Sequence, residues 1–357
     1  MEGEVVISSS KDHSIYIWEP QSLTVLSNFT ENVSTSKQSL VFNDNTLISA
    51  QGNKTILHYY SFGKEGPDKK SGVLEEITAL ATYSHLLIGG SIHGNLFLWD
   101  LNTGSLYLTW PAHLRKVTYL LLSDFIVSTS EDASIKIYRT SSILQGNLSV
   151  HKEISQNILP ITGISLKGPY LFTCSSDKSL SIFETWELKQ QKFFSSELTC
   201  LEVAENLSEV FIGTETGSVL LFKSGRVWEI DQKRISNIRF TLSERFLLIC
   251  TQKVFVVVPE TGEKIKTFVM HLSEVMNILC IPRPQDFVAG SGSSKSMRPV
   301  KKTVETEPGL VQYGFAQGEK VQVTETQPEP VVKSDEELEK LRQMNSILYR
   351  LWVEHCS

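Results

Sequence analysis

The chain has 357 residues, with 34 Lys and Arg against 40 Asp and Glu, a net charge of −6 and an apolar fraction of 41%. That length suits two domains, or one large repeat domain with a tail, and the composition is that of a chain with a sizeable core rather than a disordered one. The mild acidity supplies no bulk attraction to nucleic acid or to an anionic membrane. Five scattered cysteines with no C-x-x-C are too few for a disulfide scaffold, so a reducing compartment is expected. The opening MEGEVVISSS has no basic start and no apolar stretch, and is not read as a secretory signal. No apolar run reaches 18 residues, so no membrane-spanning helix is expected. Without a secretion signal, the N-x-S/T sequons at Asn28, Asn32, Asn53, Asn147 and Asn206 are read as chance.

One pattern recurs from the first residues onward: an apolar strand, a polar turn, then a strand ending in an aromatic residue. It reads EVVISSSKDHSIYIW to Trp18, NTLISAQGNKTILHY to Tyr59 and HLLIGGSIHGNLFLW to Trp99. It continues as DFIVSTSEDASIKIY to Tyr138, PYLFTCSSDKSLSIF to Phe183 and EVFIGTETGSVLLF to Phe222, with a degenerate RFLLICTQKVFVVV to Val258. The steps are 41, 40, 39, 45, 39 and 36 residues. Seven copies at that spacing predict seven four-stranded propeller blades. In Ile135-Lys136-Ile137-Tyr138 the two isoleucines fall on one face, as a strand requires, while copies apolar on both faces suit strands packed between blades. Turn residues separate the paired strands at Lys11-Asp12, His93-Gly94, Glu131-Asp132, Asp177-Lys178 and Thr216-Gly217.

The first copy starts on what should be its second strand, because only three residues precede Glu4. Near the other end, His271-Leu-Ser-Glu-Val275 repeats the spacing of His113-Leu-Arg-Lys-Val117. Residues 275–281 are therefore expected to supply the missing strand beside residues 4–9, which removes two sheet edges. His271 as a plain polar loop residue is the alternative. The propeller is then 1–290.

Residues 291–333 change character, from a small, basic SGSSKSMRPVKK to an acidic, Pro-containing stretch, and read as a flexible linker. Arg298, Lys301 and Lys302 are a solvated cluster or part of a nuclear import signal. LVQYGF and KVQVTE alternate and are open to strand addition on a partner, or to disorder. At 334–354 a capping box, Ser334-Asp-Glu-Glu337, leads into a helix. Leu338, Leu341, Asn345, Leu348 and Trp352 step by 3, 4, 3 and 4, a heptad seam with Asn at a core position, which predicts a dimerisation helix forming a parallel coiled coil. Met344 and Leu351 widen the stripe, leaving a heterologous groove or docking on the chain's own propeller as alternatives.

LFLWDLNTGSLYLTWPAH, residues 96–113, resembles a WD repeat, with Trp99-Asp100 and a D-x-x-T-G turn. The resemblance covers about residues 1–290 and implies an all-β, seven-bladed WD-repeat β-propeller closed by its C-terminal strand. It also implies structural tetrads of His, Ser or Thr, Asp and Trp: His113, Ser128, Asp132 and Tyr138 in one blade, and His271, Ser8, Asp12 and Trp18 in the blade drawn from both chain ends. Such a set mimics a hydrolase triad, but no G-x-S-x-G accompanies it. No catalytic residue, no metal, no cofactor and no small-molecule ligand is expected.

GGSIHGNLFLWDLNTGSLYLTWPAHLRKVTYL, followed by VSTSEDASIKIY, with the tail from Leu341 to Leu351, resembles the WD-repeat subunit of the Rix-type complex that assembles the large ribosomal subunit. The resemblance implies a non-enzymatic scaffold in pre-rRNA spacer processing and pre-ribosome maturation, in the nucleus (nucleolus and nucleoplasm). Its implied partners are a helical-repeat scaffold subunit, the midasin AAA ATPase, the pre-ribosomal particle and a second copy through the C-terminal helix, with no membrane. A generic WD-repeat adaptor, as in a ubiquitin ligase or a vesicle-traffic assembly, is the alternative.

Overall fold

The computed structural model describes residues 3–284 except 13, 35 and 63. They form seven four-stranded antiparallel sheets. Six follow chain order. The first takes the last described strand as its innermost: Val275–Pro282, then Glu4–Ser10, Ile15–Trp18 and Val25–Phe29. Glu4 faces Pro282 and Ser9 faces Asn277, with an irregularity before the Ser10 and Val275 pair. The expected seven-bladed ring is therefore present, and Val275–Pro282 completes blade one. The linker 291–333 and the helix 334–354, with Leu338, Leu341, Asn345, Leu348 and Trp352, lie outside the described residues.

Seven inner strands stand side by side in a ring: Leu40–Asn43, Ile77–Tyr83, Val117–Leu122, Ile161–Lys167, Leu198–Val203, Asn237–Phe240 and Val275–Pro282. Among the described residues there is no single central core. Buried apolar side chains form seven clusters, one between each pair of neighbouring blades. Strand alternation sorts them. In Glu4–Ser10, Val5 and Ile7 pack toward blade two with Leu40 and Tyr60, while Val6 packs toward blade seven with Leu248 and Phe268. This is why several strands are apolar at every position: both faces are covered. The one helix among the described residues is a single short turn, Thr140–Leu144, after blade four's third strand.

The connection between blades one and two does not stay at the rim. Lys37 donates to the Thr199 carbonyl of blade six at 2.7 Å. The Gln38 side chain brackets Leu120 of blade four, accepting from its N–H at 2.8 Å and donating to its carbonyl at 2.5 Å. The Gln38 carbonyl takes the Leu80 N–H of blade three at 2.8 Å. Asn277 of blade one accepts from the Ser39 N–H at 3.0 Å and donates to the Ser36 carbonyl at 3.3 Å. Residues 36–39 thus span the axial channel and tie four other inner strands together.

Candidate functional site: the turn networks of one propeller face

The turns between second and third strands share one face with the loops that enter each inner strand. The residue after the turn's polar tip takes a left-handed conformation: φ is +88° at Gly94, 65° at Ala133, 70° at Lys178 and +85° at Gly217. At Gly94 this brings the backbone against its own blade's exit toward blade four, where its carbonyl accepts the His113 N–H at 2.9 Å. A Cβ there would stand 2.2 Å from the His113 carbonyl oxygen, so only glycine fits.

In blade one the four residues drawn from both chain ends come together. Trp18 Nε1 donates to Ser8 Oγ at 3.0 Å, and Ser8 Oγ lies 2.8 Å from His271 Nε2. His271 Nδ1 is 2.8 Å from Ser10 Oγ and 3.8 Å from the Asp12 carboxylate, and the Ser10 hydroxyl donates to that carboxylate. Indole N–H only donates and carboxylate only accepts, which sets the direction of the whole chain. It runs Trp18 to Ser8 to His271 to Ser10 to Asp12, and the imidazole proton sits on Nδ1. Burial lowers the His271 pKa to about 4, with Asp12 opposing, so the ring is neutral and keeps that single tautomer.

Blade four assembles three of its four expected members. His113 Nε2 lies 2.8 Å from Ser128 Oγ, and its Nδ1 lies 2.9 Å from Ser134 Oγ and 3.3 Å from Asp132. Burial would raise the Asp132 pKa. Hydrogen bonds from the Ser134 hydroxyl and amide and from the Leu114 amide outweigh it and hold the carboxyl below its ordinary value. Tyr138 is the correction. Its ring packs edge-on against Trp110 at 5.8 Å, and the Ser128 hydroxyl reaches the Lys136 carbonyl at 3.4 Å instead. A phenol has no N–H at the place where Trp18 presents one. The Ser128, His113 and Asp132 order has a hydrolase's connectivity but no route for substrate, since Ser128 is fully buried inside the sheet and His113 is 6% exposed.

Blade three holds the text most like a WD repeat, yet it has no such network. Its serine position is Gly89, where a Cβ would meet the Trp99 ring at 2.8 Å. Trp99 is 1% exposed and its Nε1 has no hydrogen-bond partner among the described residues. In blade two Asn32 stands in for the histidine: its carbonyl accepts from Ser49 at 2.5 Å and Gln51 at 3.1 Å. In blade five Asp177 accepts from the Ser179 amide at 2.9 Å and the Ile158 amide at 3.2 Å. The signal for that last site was in the text, because S-x-D-x-S occurs at residues 10–14, 130–134 and 175–179.

The two tryptophans give a direct test. Trp18→Phe removes a donor that Ser8 uses, whereas Trp99→Phe removes an orphan. The first is expected to cost about 1–2 kcal/mol more than the second by urea denaturation. Equal losses would mean that the network adds nothing to stability.

Among the described residues no three His, Cys, Asp or Glu side chains gather to hold a metal ion, and no helix is long and apolar enough to cross a membrane. At the far end of the channel Glu202 pairs with Arg239 at 3.3 Å. Burial raises the Glu202 pKa and Arg239 opposes this.

No protein-family model matches the sequence. The chain is 27% identical over 218 residues, 48% of its own length and 42% of the other's, to the pre-rRNA-processing protein IPI3 of Scheffersomyces stipitis. It is 28% identical over 221 residues to the pre-rRNA-processing protein crb3/ipi3 of Schizosaccharomyces pombe, covering 55% of this chain and 48% of that one. It is 27% identical to Protein ROOT INITIATION DEFECTIVE 3 of Arabidopsis thaliana, again over 55% and 48%. The chain thus spans less than half the length of these curated relatives. Among solved structures, the computationally designed Ika8 protein aligns with a TM-score of 0.60 at 21% identity, over 76% of this chain and 86% of that one. A chain of the mitotic checkpoint complex aligns at 0.60 and 14%, over 68% and 80%. Both likenesses speak to fold alone. The chain is thus a seven-bladed β-propeller whose sequence is similar to the Ipi3-type pre-rRNA-processing proteins.

Proposed function

We propose that the protein is a non-enzymatic scaffold subunit in large ribosomal subunit assembly, acting in pre-rRNA spacer processing within a Rix-type complex in the nucleus. The observation that carries the reading is the likeness of its propeller to proteins named for pre-rRNA processing. The geometry is compatible, because the polar triads are locked inside blades where they hold turns and strands. Work in such an assembly falls to surfaces. The partners in this reading are a helical-repeat scaffold subunit and the midasin AAA ATPase on the pre-ribosomal particle. Depletion is expected to leave large-subunit precursors with unprocessed spacer RNA, scored by northern blotting. Unchanged precursor levels would reject the reading.

The residues at 334–354 enter the same reading as a parallel homodimer seam. Asn345 at a core position favours two level copies, since a slipped pair would bury it unsatisfied at a cost of roughly 1–3 kcal/mol. Light scattering is expected to give a dimer for the full chain and a monomer for a chain ending at residue 333. Two monomers at tens of micromolar would reject the seam.

A further inference from the structure

Three large apolar side chains are far more exposed than any others among the described residues: Leu114 at 92%, Leu272 at 88% and Ile158 at 86%. They occupy one structural position, the first residue after the buried His113, His271 or Asn157 on the loop entering an inner strand. Each is held there. Its backbone N–H is bonded by the turn aspartate of its blade: Leu114 by Asp132 at 3.1 Å, Leu272 by Asp12 at 2.7 Å and Ile158 by Asp177 at 3.2 Å. The aspartates that complete the turns therefore also fix the backbone that carries three aliphatic side chains out into water, so little backbone ordering entropy remains to be lost on contact.

Two of the three lie on neighbouring blades, four and five. Leu74 takes the same position on blade three, Ile92 tips that blade's turn, and Leu159 follows Ile158; all three are exposed. Blades six and seven put Ser195 and Gln232 at this position. The exposed apolar arc thus runs over blades three to five; blade two has the half-buried Val33 at this position, and Leu272 stands on blade one. Exposed cations flank the arc: Arg115 next to Leu114, and Lys178 next to Asp177. Neither forms an ion pair among the described residues, whereas Lys116 is near Glu131 at 4.0 Å. Exposed apolar side chains recurring at one position on adjacent blades, beside cations without an ion pair, mark a protein contact.

We infer that this face of blades three to five is a docking surface for an amphipathic α-helix of a partner protein, whose apolar stripe receives Leu114, Ile158 and their neighbours and whose flanking carboxylates meet Arg115 and Lys178. The inference rests on the reading of the chain as a scaffold and names the surface that such a role uses.

The test places a benzoylphenylalanine photocrosslinker at position 114 or 158 of the full chain in cells, with Tyr83 on the opposite face as control. The crosslinked partner peptide is identified, synthesised and titrated onto purified full-length protein. The expected peptide is an amphipathic, acidic helix. Its affinity falls at least tenfold with Leu114→Ser/Ile158→Ser and with Arg115→Glu/Lys178→Glu, and is unchanged with Leu272→Ser. All these positions are exposed, and thermal melts check that the variants fold. Crosslinks no stronger than at Tyr83, crosslinks to RNA, a basic or non-helical peptide, or an equal loss with Leu272→Ser would each overturn the inference. Co-sedimentation with large-subunit precursors, scored in the same cells, separates the two readings. Wild-type protein present on particles without these crosslinks sinks the surface alone, and its absence from particles sinks the scaffold role.

Discussion

A chain ending at residue 270 is expected to lose its cooperative thermal transition altogether. Such a chain lacks Val275–Pro282 and with it four buried apolar side chains, Val275, Met276, Ile278 and Ile281. At about 1.5–3 kcal/mol each they are worth roughly 6–12 kcal/mol, comparable with the whole stability of a domain. The loss does not stop there. Ser8 loses His271, and Ser39 loses Asn277. Glu4–Ser10 becomes an open edge exposing Val5, Val6 and Ile7. Differential scanning calorimetry of the two chains decides it, and a wild-type-like melt of the shorter one would show that the ring does not need its closing strand.

Acid should weaken the fold well above the range where carboxylates titrate. His271 and His58 are both 6% exposed, and burial lowers each pKa to about 4; the His113 pKa is lowered by burial as well. In the unfolded chain these rings titrate near 6.5. Between about pH 6.5 and 4 the unfolded state therefore binds more protons, so unfolding becomes easier as pH falls and the stabilisation is complete only above that window. Each histidine contributes about 1.4 kcal/mol per pH unit across its share of the window, and the two largest shifts together are on the order of 7 kcal/mol. Below pH 4 the depressed carboxyl of Asp132 adds a further loss in the same direction. Urea midpoints at pH 7.5, 6.0, 5.0 and 4.5 should fall steadily, and His58→Asn should flatten the slope. A level profile from pH 7.5 to 5.0 would contradict the burial argument.

What the sequence revealed, and what it hid, follows from the range of each interaction. Strand and turn patterns are local, so the seven copies and their spacing were legible. Closure was legible too, because a missing strand at Glu4 and the His271-to-Val275 spacing are both textual. The networks were only half legible. Asp12 and Asp132 stand in a pattern shared with Asp177, but the clamp of Asp177 on the Ile158 amide depends on where the entering loop lies. Trp99 ends the copy most like a WD repeat, but the place that Ser8 and Ser128 hold in their blades is Gly89, opposite Phe97, which shows only once register is known. Asn32 in the histidine's place escaped because the amide is a different residue type doing the same bonding. The Gln38 bridge to Leu120 was hidden entirely, since it joins residues across the ring with no sequence period to announce it.

The pairing of Glu4–Ser10 with Val275–Pro282 also sets a clock. On a ribosome making roughly 5–20 residues per second, the first strand waits about 15–55 s for its inner neighbour to be synthesised. Until then Val5 and Ile7 can pack against blade two, but Val6 has no blade seven to cover it, and the backbone edge beside it stays open. That interval is long compared with the microseconds in which hairpins form, so every other blade can be in place while the first is still incomplete. Newborn chains of this protein are therefore at greatest hazard of pairing with one another at their N-terminal strand, and a chaperone that shields the nascent chain would have most effect by covering residues 4–10.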